Sequence, residues 1–570
     1  MQKKGSQVPK SIKLNDEVIS NPHEIANHFN DFFTNIGRNL ASKITSNDDP
    51  IKLMEVDSPF SMFVKRVDET ELGDILSNLK NSAAGSDGIK PSLIKLVKTE
   101  IMEPLLFLVN ISLKQGVFPD LLKKAVVIPV HKKCCKQTIS NYRPVSILPA
   151  FSKIFERIMC HRLVEYLEAF KLLYANQFGF RRRHSTDLAI VTVVDSVLKS
   201  LEEKNVVLGI FMDLAKAFDT INHSILLRKL QNYGIRGTAH EWFKSYLNCR
   251  KQKVKYNEDV YSSEIEITCG VPQGSIIGPI LFLLYINDLY KSSNVFKFIL
   301  FADDTNVFIS GKNINDIIKT ANIELSKIKR WFDANQLSLN IDKTNYMVFG
   351  SKCNGLNNSL KIGGKTLKQV HSTSFLGVHI DDKLTWKKHI EHVNIKVCKS
   401  IGIFKKLCNT LSKSSLIKLY KCLVLPHINY CNIVWGATHK TSLSNLFISQ
   451  KKAIKIALHL PKRTPTNILF ERAKLNTING INKIQTSIFM FKYKFNLLPC
   501  GFEGKYTYNS DVHQYHTRQS RCFHLPKISS NRSKMSLYFR GPNLWNMLPQ
   551  SIQEIPSLQH FKNSVKTFFV

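Results

Sequence analysis

The stretch FKFILFADDTNVFIS, residues 296–310, places two adjacent carboxylates, Asp303 and Asp304, between two short runs of apolar, strand-forming residues. This pattern predicts a β-hairpin whose turn presents both carboxylates at one end. Two ionised carboxylates a few ångström apart repel each other, and holding both of them charged is costly unless they share a cation. The stretch therefore predicts a metal site, with ordinary turn chemistry as the alternative for an Asp-Asp pair.

A third carboxylate, Asp213, follows another apolar run about 90 residues upstream. Val206 to Met212 is predicted to be a buried strand, and the residues after it show a helical pattern. A sheet could bring Asp213 beside the hairpin, and three carboxylates are the hard oxygen donors of a two-magnesium site for phosphoryl transfer. The alternative for Asp213 is a helix N-cap at a strand-to-helix junction.

The composition is globular, but the charge is strongly basic. The chain has 570 residues, with 80 Lys and Arg against 44 Asp and Glu, which gives a net charge of +36. This excess favours a polyanionic partner, and nucleic acid is favoured over an anionic membrane surface because no basic amphipathic anchor is evident. No apolar run reaches the length of a membrane span, and the first residues show no hydrophobic signal core.

The twelve cysteines are predicted to be reduced thiols, since none of them falls in a CxxC pair. Cys422, His427 and Cys431 carry ligand types at short spacing, but a fourth ligand is not evident and the surroundings are apolar. Packed helix or turn residues are therefore favoured over a zinc site.

The pattern of helices and strands predicts an α+β protein with four regions. Asn21 as an N-cap and Pro22 in the first turn predict a helix in an N-terminal extension. The segment NYMVFG is predicted to be a strand, Lys-rich helices are predicted after about residue 375, and FMFKYKFN is favoured as a helix face over a base-stacking surface. A further helix is predicted to present one apolar face, formed by Ile314, Ile317, Ala321, Leu325, Ile328 and Phe332.

Seven segments in order resemble the consecutive motifs of reverse transcriptases from non-LTR retrotransposons, especially the jockey-like group. The resemblance runs from about residue 80 to 390, and weaker similarity continues in LYKCLVLPHINYCNIVWG and GPNLWNMLP. The seven segments are NYRPVSILPAFSKIFERI, QFGFRRRHST, FMDLAKAFDTINH, GVPQGSIIGPILFLLYINDL, FADDTNVF, WFDANQLSLNIDKTNYMVFG and FLGVHIDDKLTW.

The resemblance implies a right-hand polymerase with fingers, palm and thumb. The expected regions are a helical N-terminal extension at 1–77, fingers and palm at 78–350, a primer-grip hairpin and helical thumb at 351–445, and a basic C-terminal region at 446–570. The implied activity is RNA-directed DNA polymerisation with two Mg²⁺ ions, an RNA template, a DNA primer or target, and deoxynucleoside triphosphates. Nuclear localisation is expected from the same resemblance.

Roles for individual residues follow from the matched motifs. Asp213, Asp303 and Asp304 match the metal-binding carboxylates, and Phe218 matches the ring that excludes a 2′-hydroxyl; a core Phe on a helix is its alternative. Gln273 and Gly274 match the loop beside the incoming nucleotide, with an ordinary turn as the alternative. Arg143 and Arg181 match positions near the triphosphate or template backbone, with a basic surface run as the alternative for residues 181–183. Phe375, Leu376 and Gly377 match the primer-positioning hairpin, with a simple strand and turn as the alternative.

Two departures from the family's pattern are visible. Complete elements of this type carry an endonuclease ahead of the polymerase, and the first seventy or so residues are too few for one, so we expect either part of a longer protein or a truncated copy. A zinc knuckle is also missing from the basic C-terminal region. A degenerate or domesticated copy that binds nucleic acid without catalysis is the alternative function.

Overall fold

The computed structural model describes residues 8–14, 17–54, 57–132, 134–350, 359–512 and 519–569. The strands are β1 (Ile12–Leu14), β2 (Glu17–Ile19), β3 (Lys124–His131), β4 (Tyr142–Ile147), β5 (Val206–Met212), β6 (Arg250–Val254), β7 (Ile265–Ile267), β8 (Lys297–Phe301), β9 (Asp304–Gly311), β10 (Asn345–Phe349), β11 (Lys361–Ile362), β12 (Lys365–Thr366), β13 (Lys368–Gln369), β14 (Ser372–Phe375) and β15 (Val378–Asp381).

Helices form most of the rest of the described chain. They are α1 (Pro22–Ala41), α2 (Pro50–Met54), α3 (Glu69–Ser77), α4 (Pro91–Leu96), α5 (Met102–Gln115), α6 (Ala150–Ala169), α7 (Thr186–Glu202), α8 (His223–Asn232), α9 (Gly237–Leu247), α10 (Gly278–Ile286), α11 (Ile314–Ala334), α12 (Lys387–Leu407), α13 (Lys413–Leu423), α14 (Leu425–Asn429), α15 (Asn432–Trp435), α16 (Lys440–Leu458), α17 (Thr466–Ala473), α18 (Ile478–Lys494), α19 (Asn509–Val512), α20 (Leu537–Asn546), α21 (Gln550–Gln553) and α22 (Leu558–Phe568). The chain is thus a mixture of helix and sheet, as predicted.

These elements form two compact units, and the chain passes between them several times. The first unit consists of Met1–Tyr174, Asp213–Val295 and Ile323–Ile341. The second unit consists of Ala175–Met212, Phe296–Asn322 and Asp342–Val570.

The first unit contains a four-stranded sheet in the order β4-β3-β6-β7. β3 pairs antiparallel with β4 and parallel with β6. The predicted start of α1 is confirmed: Pro22 is its first residue, and the Asn21 side chain accepts a hydrogen bond of 2.9 Å from the His23 amide. Phe29 and Phe33 on α1 are buried in the core beside this sheet.

The second unit contains a five-stranded sheet in the order β13-β10-β5-β9-β8. β5 lies between β10 and β9, and all seven of its residues are buried, as predicted. The NYMVFG segment forms β10, and the predicted apolar face of α11 is buried. Helix α7 packs against β5 and β8.

The prediction of a helix directly after β5 is wrong. Residues 213–222 form no helix, because their backbone groups pair with distant segments: Leu214 bridges Leu339, and Asn222 bridges Cys269. The next helix, α8, begins at His223 and is capped by Asn222. The alternative interpretations of Asp213 as a helix N-cap and of Phe218 as a core residue on a helix are therefore also wrong.

The later part of the second unit is helical, as the Lys-rich pattern predicted. The segment FMFKYKFN lies in and just beyond α18, where Phe489, Met490 and Phe491 are buried, which confirms its interpretation as a packed helix face. Across the described ranges, each helix is either too short or too polar to cross a lipid bilayer.

Candidate active site

The predicted hairpin around the two adjacent carboxylates is present. β8 and β9 pair antiparallel, with Phe301 opposite Asp304, so Ala302 and Asp303 form a two-residue turn. Ala302 has φ of 54°, a left-handed conformation that is unusual for a residue with a side chain. Asp303 is half-buried at the turn, and Asp304 is exposed as the first residue of β9.

The neighbouring strand β5 ends at the same edge of the sheet. Its last residue, Met212, is paired with Thr305, which directly follows Asp304 in β9. Asp213 is the next residue of the chain after Met212, and its carbonyl oxygen accepts a hydrogen bond of 2.8 Å from the Asn340 amide. The last residue of β5 therefore lies next to the start of β9 in the sheet.

The three carboxylates have the right chemistry for magnesium, since hard divalent cations prefer oxygen donors. Among the residues that the structure describes, however, no cluster of three or more His, Cys, Asp and Glu side chains could hold a metal ion. The donor types suit the ion, and a magnesium site at Asp213, Asp303 and Asp304 stays a prediction.

Two of the predicted nucleotide-binding motifs meet in the first unit. The Gln273 Nε2 donates a hydrogen bond of 2.8 Å to Asp219 Oδ1, and the Val271 amide donates to the Phe218 carbonyl oxygen at 3.0 Å. The Phe218 ring lies 4.7 Å from the Phe282 ring, measured between centroids. The carboxylate of Asp219 was missed by sequence reasoning, although it directly follows Phe218.

The Asp219 carboxylate is enclosed although the residue keeps some accessible surface. Its Oδ2 is buried without a hydrogen-bond partner among the described residues. Burial raises the pKa of Asp219 to about 6, against the lowering effect of the hydrogen bond from Gln273.

Gly274 is required by a close approach of two backbone segments. Its φ is 148°, and a Cβ atom there would lie 2.3 Å from the carbonyl oxygen of Ser146. The Ser146 amide in turn donates to the Gln273 carbonyl oxygen at 2.9 Å. Arg143 lies on the same strand, β4, with an exposed side chain. The structure thus brings the Gln273–Gly274 loop beside the strand that carries Arg143.

A buried carboxylate, Glu156 on α6, holds the other end of this loop. Its Oε2 accepts a hydrogen bond of 2.6 Å from the Ile276 amide, and its Oε1 accepts from Ser152 and Tyr246. Burial raises the pKa of Glu156, and the nearby Arg250 charge opposes that shift. A glutamate among the apolar positions of a helical pattern could have indicated this buried carboxylate, but the sequence analysis missed it.

Arg181 lies in the second unit, in the loop before α7. It is half-buried, and its carbonyl oxygen accepts from the His184 amide. Its neighbour Arg183 is exposed and donates to the Asn496 carbonyl oxygen at 3.5 Å. Arg181 and Arg143 belong to different units.

The predicted primer-positioning segment forms a second hairpin in the second unit. Phe375 pairs with Val378, and the two turn residues, Leu376 and Gly377, have φ of 47° and 77°. Phe375 is buried, with its ring 6.1 Å from that of Phe211 in β5. The Tyr430 hydroxyl donates a hydrogen bond of 2.6 Å to the Leu376 carbonyl oxygen.

The residues Cys422, His427 and Cys431 lie in or between helices. His427 lies in α14, Cys422 is exposed on α13, and Cys431 is buried between helices α14 and α15 in the chain. Burial raises the pKa of the Cys431 thiol, which disfavours the thiolate that zinc requires.

Comparison with known proteins found a matching family and similar proteins. Residues 130–380 match the family described as reverse transcriptase (RNA-dependent DNA polymerase). The RNA-directed DNA polymerase from mobile element jockey of Drosophila melanogaster is 28% identical over 415 residues, which cover 70% of this chain and 45% of that protein. The probable RNA-directed DNA polymerase from transposon X-element of the same fly is 26% identical, covering 75% of this chain and 48% of that protein.

A solved structure of apo telomerase from Candida tropicalis, truncated from its C-terminal domain, covers 52% of this chain and 60% of its own. Its TM-score is 0.35 at 13% sequence identity, which is too low to assign a fold.

The chain spans about half the length of the curated relatives it matches. The matched region contains nearly all the motifs on which the resemblance rests, from the Arg143 strand to the hairpin at Leu376. The predicted resemblance is confirmed: residues 130–380 match the reverse transcriptase family, and the similar proteins are RNA-directed DNA polymerases of Drosophila mobile elements.

Proposed function

We propose that the chain is an RNA-directed DNA polymerase, which extends a primer 3′-hydroxyl with deoxynucleotides on an RNA template. One observation carries the proposal: the register that pairs Met212 with Thr305 ends β5 beside the start of β9. Asp213 directly follows β5, Asp303 lies in the turn before β9, and Asp304 is the first residue of β9. In this proposal the three carboxylates, which are the donor type that phosphoryl transfer requires, act together.

In this proposal the five-stranded sheet is the palm of a right-hand polymerase and the four-stranded sheet belongs to the fingers. The β14–β15 hairpin, with Phe375, Leu376 and Gly377, positions the primer, and the helices that follow it form the thumb. The regions 1–77, 78–350, 351–445 and 446–570 are kept as the N-terminal extension, fingers and palm, primer grip and thumb, and basic C-terminal region.

Asp213, Asp303 and Asp304 would hold two Mg²⁺ ions. When bound, such ions lower the pKa of the attacking hydroxyl and neutralise charge on the pyrophosphate leaving group. The chain's own contribution is to present oxygen donors from a rigid sheet edge, which keeps the reacting phosphate and the primer hydroxyl in line.

Phe218 and the Gln273–Gly274 loop would form the pocket for the incoming nucleotide. A planar ring at Phe218 leaves no room for a 2′-hydroxyl, which selects deoxynucleotides. Gly274 would allow the loop to keep its close contact with Ser146 beside this pocket, since a side chain there would clash with the Ser146 carbonyl oxygen.

The cationic groups would bind the phosphates of substrate and template. Arg143 and Arg181 are suited to a triphosphate or a template backbone, since guanidinium groups bind phosphate oxygens in pairs. The net charge of +36 supplies sequence-independent affinity for the RNA template and the DNA primer or target. We place this activity in the nucleus, where the DNA target of such an element lies.

The test is primer extension by the purified chain on an RNA template with Mg²⁺. We expect extension by the wild type, and a loss of about 1,000-fold or more in the Asp303→Asn/Asp304→Asn variant. Glu258→Gln/Asp259→Asn is the matched control, because it removes two exposed adjacent charges from another loop of the chain. A wild type that binds template and primer without extending them would favour the non-catalytic alternative.

The role of Phe218 has a separate test. Phe218→Ala is expected to admit ribonucleotides, lowering discrimination between deoxynucleotides and ribonucleotides by about 10- to 100-fold, because the space for a 2′-hydroxyl opens. The readout is the ratio of kcat/KM for the two nucleotide types. Unchanged sugar discrimination would refute the role.

A further inference from the structure

The segment Asn176–Gly179 precedes the arginines of the QFGFRRRHST motif and has no role in the function proposed above. It lies along the hairpin strand β8: the Leu300 amide donates to the Asn176 carbonyl oxygen at 3.0 Å, and the Phe178 amide donates to the Leu300 carbonyl oxygen at 2.8 Å. Gln177 and Leu300 form a parallel bridge. These backbone bonds fix the segment beside the turn that follows β8.

The Gln177 side chain reaches this turn. Its Oε1 accepts hydrogen bonds from the amides of Ala302, at 3.1 Å, and Gly179, at 2.9 Å. The residue is only 1% exposed, and its Nε2 has no hydrogen-bond partner within the described ranges. A buried glutamine oxygen thus satisfies the amide of the turn residue that directly precedes Asp303.

The Gly179 backbone touches the same turn. A Cβ atom at Gly179 would lie 2.4 Å from the Ala302 amide nitrogen and 3.1 Å from the Ala302 Cα. A distance below 3 Å to backbone atoms leaves no room for a methyl group, so any larger residue would push the turn away.

The turn needs such support because its own sequence does not favour its conformation. Ala302 is left-handed, although Ala strongly prefers the right-handed region, and neither turn residue is glycine. A turn of this kind persists when surrounding groups fix it.

We propose that Gln177 and Gly179 are positioning residues that fix the Ala302–Asp303 turn and thereby aim the carboxylates of Asp303 and Asp304. The inference rests on the proposed polymerase function, since aim matters only if these carboxylates act on a ligand. Displacement of a reacting group by about 1 Å can cost about 100-fold in rate, so the hold on the turn controls the chemical step.

The experiment compares Gln177→Leu, Gln177→Glu and Gly179→Ala with the wild type. Gly402→Ala is the matched control for the glycine change, because a Cβ atom there would meet nothing within 4 Å. Gln177→Glu keeps an acceptor oxygen at the same chain length, whereas Gln177→Leu removes it.

The first readout is amide hydrogen exchange, which needs no activity. In Gln177→Leu and Gly179→Ala the Ala302 amide is expected to exchange about five- to tenfold faster, while β5 and β10 keep wild-type protection. Gln177→Glu, which keeps an acceptor oxygen, is expected to keep wild-type protection of the Ala302 amide. Equal loss across the whole sheet, or no change at Ala302, would overturn the proposal.

The second readout is steady-state primer extension. Gln177→Leu and Gly179→Ala are expected to lower kcat by about 10- to 100-fold, with KM for the nucleotide within about twofold of the wild type. Gly402→Ala should match the wild type. A fall in activity no larger than that of Gly402→Ala would overturn the proposal, whereas an inactive wild type would count against the polymerase and leave the exchange experiment to decide the hold on the turn.

Discussion

Two hairpins of the second unit close with two-residue turns in different ways. The β14–β15 turn has Leu376 and Gly377 both at positive φ, with glycine at the second position, as the favoured primed turns require. The β8–β9 turn has Ala302 and Asp303 and lacks glycine, and the Gln177 side chain from a distant segment holds it. The β14–β15 turn thus contains the glycine that its conformation favours, whereas the β8–β9 turn depends on a long-range contact.

The largest effect on stability is expected at a second long-range contact, in which the supporting side chain is a carboxylate instead of a carboxamide. Asp219 supports Gln273 much as Gln177 supports Ala302, but burial raises its pKa to about 6 from an ordinary value of 3.8. The folded chain therefore binds more protons than the unfolded chain between about pH 4 and pH 6, and stability falls as the pH rises through this window.

We expect Asp219→Asn to remove that pH dependence. Its free energy of unfolding should exceed that of the wild type by up to about 3 kcal/mol above pH 6, and the difference should vanish near pH 4. Because the residue keeps some contact with solvent, this figure is an upper bound. Urea denaturation between pH 4 and pH 8 measures it, and a difference that does not change with pH would contradict the prediction.

The locally encoded turn should be sensitive to its own residues. Gly377→Val is expected to destabilise the second unit by about 2 kcal/mol, because a β-branched residue is strongly disfavoured at φ of 77°. Gly377→Asn is the control, since Asn tolerates left-handed backbone, and its cost should be about half or less. Thermal denaturation of both variants tests this, and equal costs would refute the conformational explanation.

The externally held turn should respond in the opposite direction. Ala302→Gly is expected to stabilise the chain by about 1 kcal/mol, because glycine adopts the left-handed conformation without strain. Combined with Gln177→Leu, it should recover part of the lost protection of the hairpin. A double variant no better than Gln177→Leu in hydrogen exchange would show that strain at Ala302 is unimportant.

The smallest change in stability is expected when the contact that supports the β14–β15 turn is removed. Tyr430→Phe removes the hydroxyl that donates to the Leu376 carbonyl oxygen and keeps the ring. The expected loss is about 0.5–1 kcal/mol by thermal denaturation. A loss as large as that of Gly377→Val would mean that this turn, too, depends mainly on outside support.

The sequence was sufficient for features set by local pattern. The hairpin at Asp303, the strand from Val206 to Met212 and the helix after Asn21 all follow from short runs of apolar, turn and capping residues. The helix predicted after β5 failed because residues 213–222 make their hydrogen bonds with segments far along the chain, which override local helical preference.

The supporting residues could not be predicted for the same reason. Gln177 and Ala302 are 125 residues apart, and Gln273 and Asp219 are 54 apart. In each pair both members lie in recognisable motifs, but a motif does not show which residue of another motif each side chain contacts. Only the folded chain shows which amide or carboxylate each glutamine contacts.

The segment Asn176–Phe178 has a further consequence for the behaviour of the chain in solution. β8 is an outer strand of the five-stranded sheet, and an outer strand with unbonded amides can recruit a strand from another molecule. Because this segment occupies amide and carbonyl groups of Leu300, it shields that border from intermolecular pairing. At Leu300, therefore, the outer strand has no amide or carbonyl group left for a strand of another molecule.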